Sequence, residues 1–431
     1  MERPLVARSV GEPIVLDVVY DGADLDDVAS RARLSEREVV ALHQASSYRV
    51  ERVGFLPGFA YLGPVPAPLV VPRLDKPRPR VPRHAVGLAA GFTGVYPVAS
   101  PGGWRLIGRM VGEPLFDPRR SSPARLHLGA EVVFRGVSSE EAAALAALAE
   151  PRLSPPPSAP RPLLVIRAQG LATVQDGFPR AYRDAGVPVG GPLDPEALVC
   201  ANLAVGNEPT DAAVELARGT LELSAVDRTL VLSVNGERAV PLRRGERLVI
   251  TAPDAPVIVA IAGGLEVESL LGSRGTCLPG AFGGHEGRPL RRGDALAVGA
   301  ARRSPPQTRP IERPTLVTLE VVPASGSPAL GEGAWPMFLA GTYRLAHDSD
   351  RVGARLDGPK LPRLSKAELP PRPMHRGAVQ ITHDGTPVVL GPDHPTTGGY
   401  PVIGTLTPAS CAALGRLRVG GPMAIRAARL A

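Results

Sequence analysis

A mainly β fold with a few helices, arranged as closed or nearly closed barrels, is what this sequence predicts, and three observations lead there. First, after the opening segment short apolar runs alternate with Gly and Pro all the way to Val133. Second, Thr229–Val234, Arg247–Thr251 and Val257–Ala262 are short apolar runs, and the first runs into Asn235-Gly236, the dipeptide of a tight hairpin turn. Third, Thr93-Gly94-Val95-Tyr96-Pro97-Val98 recurs with one mismatch as Thr397-Gly398-Gly399-Tyr400-Pro401-Val402, each copy after a Pro-rich segment and an apolar strand, which points to a duplicated barrel. Many short strands in compact units fit barrels better than a doubly wound parallel sheet.

The elements follow in order. An apolar strand spans Pro13–Tyr20, and Ser35 with Glu38 three residues on makes a capping box for a helix through Val39, Val40 and Leu42. Ser138 and Glu141 make a second box at the head of an Ala/Leu-rich helix running to Glu150. Residues 151–162 carry six prolines and no apolar period, the composition of a stiff spacer and the clearest boundary. Beyond it Asp194 caps a helix with Pro195 at its first position and Gly206 past its end. A second proline-rich stretch, Ser304–Pro314, divides the remainder. A chain of 431 residues therefore reads as a first domain at 1–150, a linker at 151–162, and two further subdomains at 163–303 and 315–431.

Composition narrows the function. Net charge is +7, but the 49 basic residues include only three lysines, and the arginines lie scattered among acids with aromatics at 4%, which argues against nucleic-acid binding. No apolar run approaches the roughly 20 residues that span a bilayer, and the basic start lacks the apolar core of a secretory signal, so a cytoplasmic protein with no membrane contact is expected. Cys200, Cys277 and Cys411 are too widely spaced for a C-x-x-C metal site, and their odd number argues against a disulfide framework. No phosphate loop, H-E-x-x-H, G-x-S-x-G or strand-coupled G-x-G-x-x-G occurs, and the eight histidines show no ligand spacing apart from His375 with His383 across a strand entry, so no metal site is expected.

Three glycine-dense segments allow close approach of backbone to a ligand: Gly54–Tyr61, Thr93–Arg109 and Asp393–Pro401. The second joins Ser100, Gly102, Gly103, Trp104 and Arg109, a set suited to an anion or a planar group; plain turn chemistry, and a solvated face for Arg109, is the competing account. Asn202 and Glu215 sit in apolar surroundings where a polar group needs partners, as satisfied structural groups or as site residues. Asp348, Asp350, Arg351 and Arg355 form either an ion-pair cluster or a phosphate site with an acid for Mg²⁺. The Gln175-Asp176-Gly177 triplet opens the loop toward Asp194.

The stretches GFLPGFAYLG and VPRHAVGLAAGFTGVYPVASPGGWRLIGR resemble the allophanate hydrolase subunit 1 family, otherwise the B component of 5-oxoprolinase or the KipI family, over residues 11–136. The segment ATVQDGFPRAYRDAGVPVGGPLDPEALVCANLAVGN, with AIAGGLEV, LLGSRGT, GAFGGHEGR, SDRVGARLDGPKL and TTGGYP, resembles the subunit 2 family, the C component of 5-oxoprolinase or KipA type, over about 163–425. The chain thus looks like a fusion of the two. The resemblance implies cyclophilin-like β-barrel domains in both halves and a site between them. It also implies a role in an ATP-dependent 5-oxoprolinase that opens a lactam to glutamate with a separate A-type component of that enzyme, ATP and Mg²⁺.

The alternatives it carries are a biotin-dependent carboxyltransferase acting on a urea-like amide and a KipI-type sensor-kinase inhibitor. Under the leading reading His43, Asp194, Asn202 and Asp350 are the catalytic candidates. Arg80, Ser100, Gly102, Gly103, Arg109, Arg351, Thr396, Thr397 and Tyr400 would hold substrate or phosphate. The sequence departs from the family pattern in three ways: the usual small α+β domain ahead of the barrel has no counterpart, Gly190 replaces a common serine, and Pro395 replaces a usual glutamine. No Met-Lys-Met biotinylation context exists, so any biotin arrives on a partner. A homo-oligomer stays open.

Overall fold

The computed structural model describes residues 12–149, 162–302, 304–313, 315–325, 329–364 and 369–429. The expected linker at 151–162 lies outside them apart from Pro162. The chain divides into two compact units, one of residues 1–155 with 182–187, the other of 156–181 with 188–431.

Unit 1 runs β1 (Ile14–Val19), α1 (Leu25–Ala32), α2 (Glu36–Gln44), β2 (Ser47–Val53), β3 (Ala60–Gly63), β4 (Arg78–Val81), β5 (Ala85–Ala89), β6 (Phe92–Val95), β7 (Ser100–Gly102), β8 (Arg105–Val111), β9 (Glu131–Gly136) and α3 (Ser139–Ala149). Seven of these strands close a barrel in the order β1-β8-β5-β6-β3-β2-β9, with β1 parallel to β9, while β4 and β7 form a separate ribbon. Closure leaves no exposed edge for another chain to pair with. Alternation sets the core: Leu16 and Val18 on β1, Tyr48 and Val50 on β2, and Val132 and Phe134 on β9 point inward. Both capping boxes form, Glu38 N–H to Ser35 Oγ at 3.2 Å and Ser138 N–H to Glu141 Oε2 at 2.8 Å among their bonds.

Unit 2 begins with β10 (Leu163–Gln175), α4 (Pro195–Ala204), β11 (Ala213–Ala225), β12 (Leu230–Val234), β13 (Val240–Leu242), β14 (Arg247–Ala252), β15 (Val257–Ile261) and β16 (Ala295–Leu296). They build one seven-stranded sheet, β13-β12-β15-β11-β10-β16 with β14 also on β11, whose path does not close. Asp194 caps α4 through Glu196 N–H at 3.1 Å, and Asn235-Gly236 turns with φ of 47° and 78°. Residues 304–313 contain neither helix nor strand.

The unit ends with β17 (Val317–Pro323), α5 (Ala334–Ala340), β18 (Thr342–Leu345), β19 (Gly353–Asp357), β20 (Arg372–Pro373), β21 (Ala378–Ile381), β22 (Pro387–Leu390), β23 (Thr397–Gly398), β24 (Val402–Leu406), α6 (Pro408–Gly415) and β25 (Pro422–Ala427). They close a second barrel, β17-β24-β21-β22-β19-β18-β25, with β17 parallel to β25 and a side ribbon of β20 and β23. Strand for strand, this is the order of the first barrel, so the duplication is real. The recurrence read from sequence is out of register, however: Thr93 lies on β6, whose counterpart is β22, whereas Thr397 lies on β23, the counterpart of β7.

The equivalent pair is Gly102-Gly103-Trp104-Arg105-Leu106-Ile107-Gly108 and Gly398-Gly399-Tyr400-Pro401-Val402-Ile403-Gly404. The last glycine of each explains why. A Cβ on Gly108 would stand 2.5 Å from the Val19 carbonyl oxygen on β1, and one on Gly404 2.7 Å from the Val322 carbonyl oxygen on β17, so both barrels need glycine where these strands cross. Among the described residues no helix is long and apolar enough to cross a membrane.

Candidate functional site

Two groups of buried polar side chains meet in unit 2, one on each side of Gly190-Gly191. The first centres on Arg351, in the turn that leads into β19. Its Nε donates to Asp393 Oδ2 at 2.8 Å and its Nη2 to Asp393 Oδ1 at 3.2 Å and to the Gly191 carbonyl oxygen at 2.8 Å, while Nη1 donates to Glu215 Oε1. Glu215 comes from β11, and its other oxygen accepts the Leu193 N–H at 2.6 Å. All three side chains are within 2% of complete burial. Every nitrogen of the Arg351 guanidinium has a partner, so the group clamps barrel, sheet and glycine loop together and is committed to the protein rather than to a ligand.

The second group centres on Arg180, in the loop after β10 and 2% exposed. Its Nη2 donates to the Gly275 carbonyl oxygen, and its guanidinium carbon stands 5.4 Å from the Phe282 ring centroid. Among the described residues its buried Nε and Nη1 have no hydrogen-bond partner, nor do the buried Gln175 Oε1 and Thr276 Oγ1. A buried donor left unmade costs about 1–3 kcal/mol, and more when charged. Such a set is stable where a ligand supplies the missing acceptors and donors.

Glycines pack directly against these polar atoms, where any side chain would collide. A Cβ on Gly190 (φ +75°) would lie 2.0 Å from Arg180 Nη1, one on Gly284 2.0 Å from Thr276 Oγ1, and one on Gly275 2.9 Å from Gln175 Oε1. The Gly190 N–H donates to the Pro392 carbonyl oxygen at 3.0 Å, tying this niche to the segment bearing Asp393, His394 and Thr396. Nearby, Asp176 accepts from Ser273 Oγ and the Arg274 N–H, each at 2.6 Å, and burial raises its pKa. Burial pushes the Cys277 thiol up to about 12, which leaves it a thiol rather than a nucleophilic thiolate at neutral pH. Thus the niche offers one desolvated cation, an amide oxygen and a hydroxyl, suited to an oxyanion or carboxylate with a neighbouring N–H or O–H.

The residues singled out from sequence are dispersed. His43 is wholly buried in the first barrel, between Tyr20 Oη at 2.8 Å and Thr93 Oγ1 at 2.9 Å and 4.4 Å from the Phe134 ring; burial pulls its pKa down to about 3, so it is a neutral core histidine. Arg109 pairs with Asp21 at 2.8 Å on the surface, each side chain 48% exposed, and Arg80 is exposed on β4. Ser100 and Gly102 form β7 beside β4; Gly103 follows it, and Gly102 abuts the Tyr96 ring, since a Cβ there would lie 2.5 Å from Tyr96 Oη.

In unit 2, Asp194 is the N-cap and is ion-paired to Arg416 at 3.0 Å, with burial raising its pKa. Asn202 is satisfied by the Asp211 carbonyl at 2.8 Å and Asn207 Nδ2 at 3.0 Å. Asp350 accepts the Val352 and Gly353 N–H groups. Thr396 and Thr397 have Oγ1 atoms buried with no partner, and Tyr400 meets His383 edge-on at 5.0 Å.

Of the residues so singled out, Arg351 and Glu215 belong to the first buried group and Gln175 to the second, with Thr396 and Thr397 following Asp393 in the same segment. Sequence reading missed the role of Arg180 and Thr276. The density of glycine from Gly272 to Gly287, with Gly190-Gly191, was the available signal.

Comparison with known proteins follows the same division. The family model described as carboxyltransferase domain, subdomain A and B, matches residues 185–427, and that of subdomain C and D matches residues 3–126. The C component of 5-oxoprolinase from Escherichia coli (strain K12) is 32% identical over 277 residues, 61% of this chain and 89% of that protein. The B component of 5-oxoprolinase from Escherichia coli O157:H7 is 48% identical over 124 residues, 28% of this chain and 56% of that protein, so the chain spans little more than half of that relative. The crystal structure of TTHA0988 matches with a TM-score of 0.81 at 34% identity, covering 96% of this chain and 85% of that one. The chain belongs to the carboxyltransferase domain family, with its subdomain C and D module ahead of its subdomain A and B module.

Proposed function

We propose that this protein is part of an ATP-dependent 5-oxoprolinase, hydrolysing the lactam of 5-oxoproline to glutamate together with a separate A-type component. One observation carries the reading: similarity to the C component and similarity to the B component of the same enzyme occur in a single polypeptide. The Arg180 niche supports it, because an anionic ligand with a ring N–H meets the inventory there: the carboxylate on Arg180 Nε and Nη1, the N–H on Gln175 Oε1 or Thr276 Oγ1.

A lactam carbon is poorly electrophilic. In this reading the lactam oxygen takes the γ-phosphoryl group of ATP and ADP leaves. Water then adds to the activated carbon, the C–N bond opens to an acyl phosphate, and a second water releases phosphate. This chain binds and orients the lactam, excluding bulk water from it. Among the described residues no three His, Cys, Asp or Glu side chains converge on a metal-sized point; a Mg²⁺ arriving with ATP would be held chiefly by the nucleotide phosphates and water, and no step is assigned to it here.

A second reading, biotin-dependent carboxyl transfer to a urea-like amide, is favoured by the family description itself. The test combines the purified chain with an A-type 5-oxoprolinase component and follows ADP and glutamate with and without 5-oxoproline. Lactam-dependent formation of both, reduced at least a hundredfold by Arg180→Met, is expected. Absence of both, with carboxyl transfer from carboxybiotin to urea instead, overturns the reading in favour of the second.

A further inference from the structure

A separate cavity of about 210 Å³ opens in unit 2 on the far side of the Arg351 clamp. Its walls are largely aliphatic: Leu171 and Leu193 on one side, and Leu345, Leu390, Leu414 and Leu417 on the other. Three arginines line it, Arg218, the already clamped Arg351, and Arg376. Arg376, between β20 and β21, is only partly exposed and uses Nη2 alone, which donates to the carbonyl oxygens of Pro192 at 3.0 Å and Leu193 at 2.8 Å.

Among the described residues Arg376 forms no ion pair, and its Nε and Nη1 make no hydrogen bond. The two carboxylates at the cavity are occupied elsewhere: Asp350 accepts the Val352 and Gly353 N–H groups, and Asp254 stands 3.9 Å from Arg418. Burial pulls the Arg376 pKa below its ordinary value; the Arg351 charge acts the same way, while Cys411 and the Glu215 and Asp393 carboxylates oppose it without reversing it. A guanidinium held against leucine side chains without a counter-ion is costly, and an anion arriving with its own apolar body relieves the cost on both counts.

We infer that this cavity binds a small amphipathic monocarboxylate, its acyl chain among the leucines and its carboxylate on Nε and Nη1 of Arg376. Volume limits the class. A dry cavity of about 150 Å³ holds a molecule the size of benzene, so a short acyl chain fits and a long fatty acid does not. Charge sets the polarity of the head: Arg218 is a second cation at the rim, its Nη1 3.5 Å from the His347 carbonyl oxygen, and among the described residues it too lacks a carboxylate partner. The site is distinct from the Arg180 niche and does not depend on the proposed reaction.

Titration calorimetry on the whole chain with hexanoate and with hexan-1-ol tests it. One hexanoate per chain should bind, with the alcohol at least tenfold weaker. Arg376→Met should bring hexanoate down to the level of the alcohol, Leu414→Trp should abolish both, and Arg180→Met should change neither. Equal affinity for acid and alcohol overturns the inference. So does hexanoate binding that survives Leu414→Trp, and so does the absence of hexanoate binding at millimolar concentration. Should Arg376→Met not fold, the comparison of acid with alcohol on the unaltered chain and the Leu414→Trp variant still decide the matter.

Discussion

The two barrels share one strand order but are sealed at the same place by opposite chemistry. In the first, the segment entering β3 contributes Phe55 and Phe59 to an aromatic cluster with Tyr61, Tyr96 and Trp104; Phe59 meets Trp104 at 5.4 Å and 82°, and Tyr96 at 5.5 Å and 70°. In the second, the segment entering β19 carries Arg351 with its two carboxylates, and Tyr400, the counterpart of Trp104, stands beside His383 and Arg363 instead. Aromatic packing is self-contained, since every ring in it belongs to that barrel and edge-to-face contacts need no external partner. The charged seal is not: Glu215 comes from the neighbouring sheet and Gly191 from the loop beside Arg180. Barrel topology is therefore indifferent to how this end is closed, and the copy with the charged seal is the one joined to the polar niche.

The largest expected effect breaks that seal. Arg351→Met leaves Glu215 and Asp393 buried without a counter-charge and should cost unit 2 about 3–5 kcal/mol. Each barrel holds one tryptophan, Trp104 in the first and Trp335 in the second, so urea unfolding followed by fluorescence in a Trp104→Phe background reports unit 2. Adding Glu215→Gln and Asp393→Asn to Arg351→Met should recover much of the loss, because no buried charge then remains. A triple variant no more stable than the single one would show that the clamp acts through packing instead.

The first barrel answers to pH where the second answers to charge removal. With His43 held near pKa 3 when folded against about 6.5 when unfolded, the unfolded chain binds the extra proton below pH 6.5. Stability from this group is complete above pH 6.5 and lost as pH falls toward 3, by roughly 2 kcal/mol between pH 7 and pH 5. His84, with its pKa drawn down to about 4 by burial and Arg83, acts in the same direction. In a Trp335→Phe background, His43→Gln should be less stable at pH 7 yet show a shallower fall to pH 5. An unchanged slope would assign the acid sensitivity of unit 1 to other groups.

Much of the fold was legible because it rests on local signals. Two capping boxes, the Asp194-Pro195 helix start and the Asn235-Gly236 turn are each written in a few adjacent residues. The duplication was legible too, though in the wrong register, because Thr-Gly-x-Tyr-Pro matches by letters while Gly-Gly-aromatic-x-aliphatic-Ile-Gly matches by strand crossing. The site was hardly legible. Arg351, Glu215 and Asp393 are far apart in sequence and meet only through the sheet and barrel, and Arg180 is one arginine among many until its burial is known. His43 illustrates the converse: a titratable side chain near the end of a helix invites a catalytic role, and only the surrounding Phe134, Tyr20 and Thr93 make it a core residue.

The smallest expected effect sharpens the contrast from the other side. Arg109 and Asp21 face solvent, so the pair is worth at most about 1 kcal/mol and Arg109→Ala should move the unfolding midpoint of unit 1 little. Under the proposed function, turnover with 5-oxoproline should likewise persist, since the guanidinium is already paired at the one exposed position of β8 while Arg180 keeps two donors buried and unused. Loss of turnover in Arg109→Ala with stability intact would place the reacting group at the first barrel. The glycine loop there, rather than the one around Arg180, would then be the half of the duplication that carries the chemistry.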